Sequence, residues 1–135
     1  MSISTSITAF APAASDFTGD EGLIVVRTAP AAGLPRVALA TAASAQAFGI
    51  IEYVGFGALG QELRICDFGK TFVVLGAGWG APAATEAAFM SDANGAAIPA
   101  TAGSRVVGRL TFNELTSLAA GNRVECLVYP FELET

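Results

Sequence analysis

The chain has 135 residues, of which 53% are hydrophobic and 14% charged, and its formal net charge is −5. This length suits one domain and is enough to fold without a metal or a disulfide. One lysine and six scattered arginines form no basic stripe, so we expect binding neither to nucleic acid nor to an anionic membrane.

Residues 2–10 alternate between hydrophobic and hydroxyl side chains, which predicts a strand-like arm. We find no partner for this arm elsewhere in the sequence, so we expect the domain to fold without it. It has neither the basic nor the apolar region of a signal peptide, and no apolar run approaches the about 20 residues of a membrane helix. We therefore expect synthesis in a cytoplasm.

The rest of the first half reads as short strands separated by turns. A continuous apolar run at 23–26 predicts a buried strand, and residues 29–33 predict a turn. Further strands are predicted at 36–41, 48–53, 60–66 and 71–75. Residues 42–47 suit either a loop or one helical turn.

The second half continues the same pattern. Residues 87–91 predict a strand that ends in the hairpin signal Asn94-Gly95, and 96–99 the return strand. Strands at 105–112 and 122–132 flank a segment, 113–121, with the cap and leucine spacing of a short helix. Many short strands with regular turns and little helix predict an all-β barrel or sandwich.

A sequence pattern occurs twice in this chain. Phe48-Gly49-Ile50 followed by Gly60-Gln61-Glu62-Leu63-Arg64-Ile65 matches Val107-Gly108-Arg109 followed by Gly121-Asn122-Arg123-Val124-Glu125-Cys126. We interpret residues 1–22 as an arm and loop, and 23–135 as one β-domain of two similar halves. The pseudo-repeat covers about 35–68 and 95–130.

The two cysteines fall one position apart in this alignment. Cys126 matches Ile65, whereas Cys66 matches Leu127, so the two thiols are predicted on opposite faces of equivalent strands. We expect both to be reduced, with Cys126 a small core residue.

No motif in the sequence predicts catalysis, a cofactor or a metal. Gly55 to Gly60 matches a dinucleotide fingerprint, but a strand rather than a helix is predicted after it. The chain has no histidine, so it has no conventional triad or zinc site. The acidic cluster Asp16, Asp20 and Glu21 is interpreted as solvated turn residues rather than a calcium loop.

Few charges and many apolar residues indicate a surface that a partner covers. The arm is one candidate interface because an extended strand can pair with a neighbouring chain. Trp79 and Phe56, each flanked by glycine, are further candidates, and each could instead fold back onto an end of the barrel. The candidate interface residues are Ser2, Ile3, Ser4, Thr5, Ser6, Ile7, Phe10, Phe56 and Trp79.

Residues 81–128 resemble the small decoration, or cement, proteins of tailed bacteriophage capsids. The resemblance rests on Phe89-Met90-Ser91-Asp92-Ala93-Asn94-Gly95, Ile98-Pro99-Ala100-Thr101-Ala102-Gly103, Val106-Val107-Gly108 and Ala119-Ala120-Gly121-Asn122-Arg123-Val124. A weaker echo lies in the first half. The chain departs from the family in its arm, in residues 10–30 and at Arg109, where an apolar residue is usual.

The resemblance implies a non-enzymatic structural protein with no cofactor, seated as a homotrimer on the outer surface of the phage head. Its partner would be the major capsid protein, and its location the virion. The alternative is a fibre, spike or tail accessory module that binds a host surface; a small hydrolase is a third possibility.

Overall fold

A computed structural model gives the fold and describes residues 3–9, 17, 19–31, 34–41, 47–55, 61–79, 88–100, 105–111 and 119–132. Within them the chain is all β, as predicted. These residues contain no helix that is long and apolar enough to cross a membrane. The helix predicted at 113–121 and the turn predicted at 42–47 lie mostly outside these residues. The strands are β1 Ile3–Ala9, β2 Ile24–Ala31, β3 Leu34–Leu39, β4 Gly49–Val54, β5 Gln61–Val74, β6 Ala88–Ser91, β7 Ala97–Pro99, β8 Arg105–Leu110 and β9 Arg123–Glu132.

The predicted strands are confirmed, with two differences. β2 continues to Ala31, into the segment 29–33 that was predicted to be a turn. The second difference lies at β5. The sequence predicts two strands there, at 60–66 and 71–75, whereas β5 runs unbroken for 14 residues. Asp67 is an extra residue in its pairing with β1, because Ile3 lies opposite Phe68 and Ser4 opposite Cys66. Such a bulge bends a strand without ending it. β5 can therefore serve both halves of the molecule.

The order of strands in the sheet reads almost the same from either end. It is β3-β2-β4-β5-β9-β8-β6-β7, with β1 paired to β5 beside this path. If β2, β3, β4 and β5 are matched to β6, β7, β8 and β9, the second half of the order is the first half reversed. All these neighbouring strands are antiparallel. The duplication seen in the sequence is therefore a duplication of strand pairing.

The register confirms the match residue by residue. Ile51 lies opposite Ile65 in the first half, and Leu110 lies opposite Cys126 in the second. The two central glycines also have the same role. A Cβ atom at Gly49 would collide with the carbonyl oxygen of Cys66, and one at Gly108 with that of Leu127. Each glycine therefore allows a close approach to the neighbouring strand.

The expectation that the N-terminal arm has no partner in the repeated domain is wrong. β1 pairs along β5 from Phe68 to Gln61. Thr5 lies opposite Ile65 in this ladder, as Thr71 lies opposite Cys126 between β5 and β9. β1 therefore corresponds to the second part of β5. We call residues 3–68 the first unit and residues 69–132 the second unit, each with five strand segments.

Each unit curls toward a barrel by bringing its first and third segments together. β1 lies beside β3 in the first unit. In the second, a parallel bridge joins Leu75, directly after β5, to Ala97 in β7. The sequence missed the place of β1 because the repeat was recognised only from its glycines, and β1 carries none. Ser2 and Phe10, at its ends, lie outside the described residues.

The two units bury their interiors differently. In the first unit a compact cluster contains residues from β2, β4 and β5 and is closed by Phe17. In the second unit the inward residues of β5, β6, β8 and β9 form a larger cluster, which also includes Ile24, Ile50 and Cys66 of the first unit. The outward-facing residues of the first unit thus pack against the interior of the second.

Both cysteines are buried and free. As predicted, they lie on opposite faces of equivalent strands. Cys66 pairs with Ile50 at an outward-facing position of the first unit, and Cys126 pairs with Leu110 at an inward-facing position of the second. They nevertheless share one core, because outward-facing residues of the first unit pack into the second unit. Burial raises the pKa of Cys66 to about 11 and also raises the pKa of Cys126.

We expect deletion of residues 2–10 to unfold the first unit or strongly destabilise it. Each ladder hydrogen bond lost from β5 costs about 1 kcal/mol, and an inner strand becomes an edge. Urea denaturation followed by circular dichroism measures the loss. A synthetic peptide of residues 1–10 should restore stability in a concentration-dependent way, and a peptide of the same composition in scrambled order should not. A deletion variant as stable as the intact chain would show that β1 contributes nothing to the sheet.

Both thiols should react in denaturant without prior reduction and react slowly in the folded protein at pH 8. Burial favours the neutral thiol, and only the thiolate is nucleophilic. Because the folded pKa of Cys66 is raised from 9.0 to about 11, its contribution to stability is complete below pH 9 and is lost as the pH rises through 11. Reaction with a chromogenic disulfide reagent measures both rates. A disulfide found by mass spectrometry would contradict this expectation.

Candidate interaction surface

One face of the first unit is buried against the second unit, whereas the equivalent face of the second unit is partly exposed. This exposed face is the main candidate for a functional surface. In the first unit one row of cross-strand neighbours runs Ser4, Cys66, Ile50, Ile24. The row at the equivalent positions of the second unit runs Lys70, Leu127, Arg109, Ala88. Ile24, Ile50 and Cys66 are fully buried, whereas Leu127, Arg109 and Ala88 are half-buried and Lys70 is exposed.

Aromatic and charged side chains surround this second row. Phe68 and Phe72 alternate with the buried strand positions of β5 and are 56% and 58% exposed. On β9, Glu125 lies opposite Phe72, and Arg123 lies opposite Val74. We call this surface the outer face; its residues are Phe68, Lys70, Phe72, Ala88, Arg109, Thr111, Arg123, Glu125 and Leu127. Exposed aromatics together with arginine are typical of protein interfaces.

Polar groups on the outer face are unevenly satisfied. Thr111 donates its hydroxyl to a carboxylate oxygen of Glu125 at 2.8 Å, and its backbone N–H donates to the Glu125 carbonyl. The Nε of Arg109, by contrast, is buried and has no acceptor within the described residues. A buried charged donor without an acceptor is costly, so apolar packing alone does not account for an arginine at this position.

An open groove of about 350 Å³ borders the outer face. Phe72 and Arg123 belong to both, and Thr71 donates its hydroxyl to Glu52 at 2.9 Å in the groove. The groove contains no cysteine, and the described residues hold no group of three metal-binding side chains. The other residues lining it are Glu21, Gly22, Ile51 and Glu52. It extends the contact surface that the outer face offers.

Trp79, predicted to stay outside the core, is folded inward. It is half-buried against the core of the second unit, and its indole N–H donates to the carbonyl oxygen of Ala97 at 2.9 Å. The alternative interpretation, in which the indole folds back onto one end of the barrel, agrees with this position. Phe56 lies outside the described residues. Asp20 and Glu21 lie in the turn before β2, while Asp16 lies outside the described residues.

The predicted interface residues are not brought together on this surface. Ile3, Ser4, Thr5, Ser6 and Ile7 form β1, on the first unit. The exposed aromatics Tyr53, Phe68 and Phe72 were missed instead. The sequence held a usable signal for the two phenylalanines, since Phe68, Lys70 and Phe72 alternate with Thr71 and Val73. Once the repeat sets Val73 inward, the other positions must face outward.

The comparisons with known proteins add no constraint on this surface: no protein-family model, curated protein or solved structure matches the chain. Its chemistry is therefore argued from the residues alone. The outer face offers apolar contact, hydrogen-bond donors and positive charge.

Replacing Phe68 and Phe72 together with serine should change the free energy of unfolding by less than about 1 kcal/mol, because both side chains are more than half exposed. The contrasting variant is Phe89→Ala, which removes a fully buried ring and should cost about 3–5 kcal/mol. Urea denaturation measures both. A double variant as unstable as Phe89→Ala would show that the two exposed rings serve folding rather than contact.

Proposed function

We propose that this chain is a structural decoration protein that binds the outer surface of an assembled phage head and stabilises it. The observation that carries the proposal is the outer face, where two phenylalanines are more than half exposed around half-buried Leu127 and Arg109. A monomer in water gains nothing from exposing such side chains, whereas a contact surface does. The sequence resemblance to capsid decoration proteins supplies the kind of partner.

The duplicated architecture supports a binding role. Its two units repeat the same strand pairing, and what differs between them is the surface they present. The equivalent of a face that is buried inside the molecule is available to another protein. A chain without histidine also lacks the commonest general acid–base group.

Stabilisation would arise by mass action. A ligand that binds the assembled shell and not its free subunits stabilises the shell by RT ln(1 + [L]/Kd), which is about 2.7 kcal/mol at a hundredfold excess over Kd. In a homotrimer, as the resemblance implies, three weak contacts reinforce one another through their effective concentration. No single contact then needs to be strong.

The test is the position and copy number of the chain on particles of the phage that encodes it. Electron cryo-microscopy should show it across the head in hundreds of copies, and removing it should lower the temperature at which heads release DNA. The Phe68→Ser, Phe72→Ser double variant should fold and lose retention on heads.

The control is Tyr53→Ser, which removes an equally exposed aromatic from the first unit, where Tyr53 lies opposite Arg64. It should be retained normally. Density confined to the tail would favour a fibre, spike or tail module and end the proposal. Equal loss of retention in both variants would show that exposed aromatics act without regard to the face that carries them.

A further inference from the structure

We propose that the outer face recognises a carboxylate-bearing apolar patch on the shell subunit, with Arg109 donating to a carboxylate there. This inference rests on the proposed function, because it takes the shell as the partner. It goes further in assigning the face that makes the contact and the chemistry that the partner must present.

Charge distribution is the first support. The outer face holds three of the seven basic residues, Lys70, Arg109 and Arg123, and one of the twelve acidic residues, Glu125. The nine residues that define the outer face therefore sum to +2, and the groove beside them adds the carboxylates of Glu21 and Glu52. A positive surface on an acidic protein complements a partner that is negative at the contact, and it repels a basic one.

The state of each charged group sharpens this complementarity. Glu125, the only acid among the described residues of the outer face, already accepts a hydrogen bond from Thr111. Arg109 lies between Leu127 and Ala88 in its row and has a buried Nε without an acceptor in the described part of the chain. Because Nε is buried, the donors to a carboxylate of the partner are the two Nη atoms, which can bind it through two parallel hydrogen bonds that are stronger than neutral ones.

Comparison of the two units gives the second support. At the position of Arg109 the first unit has Ile50, which is fully buried in the hydrophobic core. Apolar packing alone would be served by another aliphatic residue at this site. Arginine between Leu127 and Ala88 instead adds a directed donor. The partner surface must therefore combine aliphatic or aromatic groups with a carboxylate opposite Arg109.

Lys70 allows a direct experiment because it is the only lysine in the sequence and is exposed on this face. A carbodiimide joins an amine to a carboxylate in contact with it through an amide bond. We would treat shells carrying the bound protein with carbodiimide and map the products by mass spectrometry. The control is Lys70→Arg, which keeps the charge and removes the side-chain amine.

The expected product joins Lys70 to an aspartate or glutamate of the shell subunit and is absent from Lys70→Arg. A product joining Lys70 only to a second copy of this chain would overturn the inference and identify a self-association face. Retention on shells without any Lys70 product would overturn it as well, leaving the proposed function intact. Failure to bind shells at all would refute the proposed function, and this inference with it.

A second measurement tests Arg109 itself. Arg109→Leu should fold, since the site is a cross-strand neighbour of Leu127, and should bind shells at least about tenfold more weakly. The matched control, Arg64→Leu, makes the same charge change on the first unit, opposite Tyr53, and should bind normally. Equal weakening in both would mean that net charge alone matters. Undiminished binding by Arg109→Leu would overturn the role of its guanidinium.

Discussion

The backbone pairing of β5 is the constraint on which the rest of this structure depends. Its first part pairs with β1 and β4 and its second part with β9, so one uninterrupted strand closes the first unit and opens the second. Gly69, with φ of 106°, lies where it passes between the units. The units share this strand, and Ile24, Ile50 and Cys66 of the first unit pack into the core of the second. That packing decides which surfaces remain for a partner.

The two units have the same strand pairing, but equivalent residues in them differ in burial. Equivalent residues make the same ladder contacts, yet Ile50 lies in a core and Arg109 borders solvent. A position that must be apolar in one unit is free to carry charge in the other. The residue types at equivalent positions therefore differ according to whether the face packs against the other unit or is exposed. Cys66 and Leu127 show it again, since the smaller side chain lies where the two units pack together.

The sequence was sufficient for the fold class and most strands, because alternation and turn residues are local signals. Asn94-Gly95 correctly marked a hairpin, and the repeated glycines correctly aligned Ile65 with Cys126, which lie opposite equivalent residues of β4 and β8. The place of β1 and the inward position of Trp79 could not be predicted, since both depend on contacts with distant residues such as Leu63 and Ala97. The outer face escaped notice because the alternation of Phe68 and Phe72 with Thr71 and Val73 does not by itself say which side of β5 is covered.

The pairing of β1 with β5 also governs how the chain can fold while it is being made. Ile3 lies opposite Phe68, so the first strand must remain unpaired until its partner has emerged from the ribosome. At roughly 5–20 residues per second, the wait is roughly 3–13 s. An exposed strand edge over such a time invites pairing with other nascent chains. The serines and threonines of Ile3–Ala9 reduce this hazard, because a polar strand gains less by aggregation than an apolar one. The composition of the first strand is therefore suited to the interval before it pairs as well as to its position in the sheet.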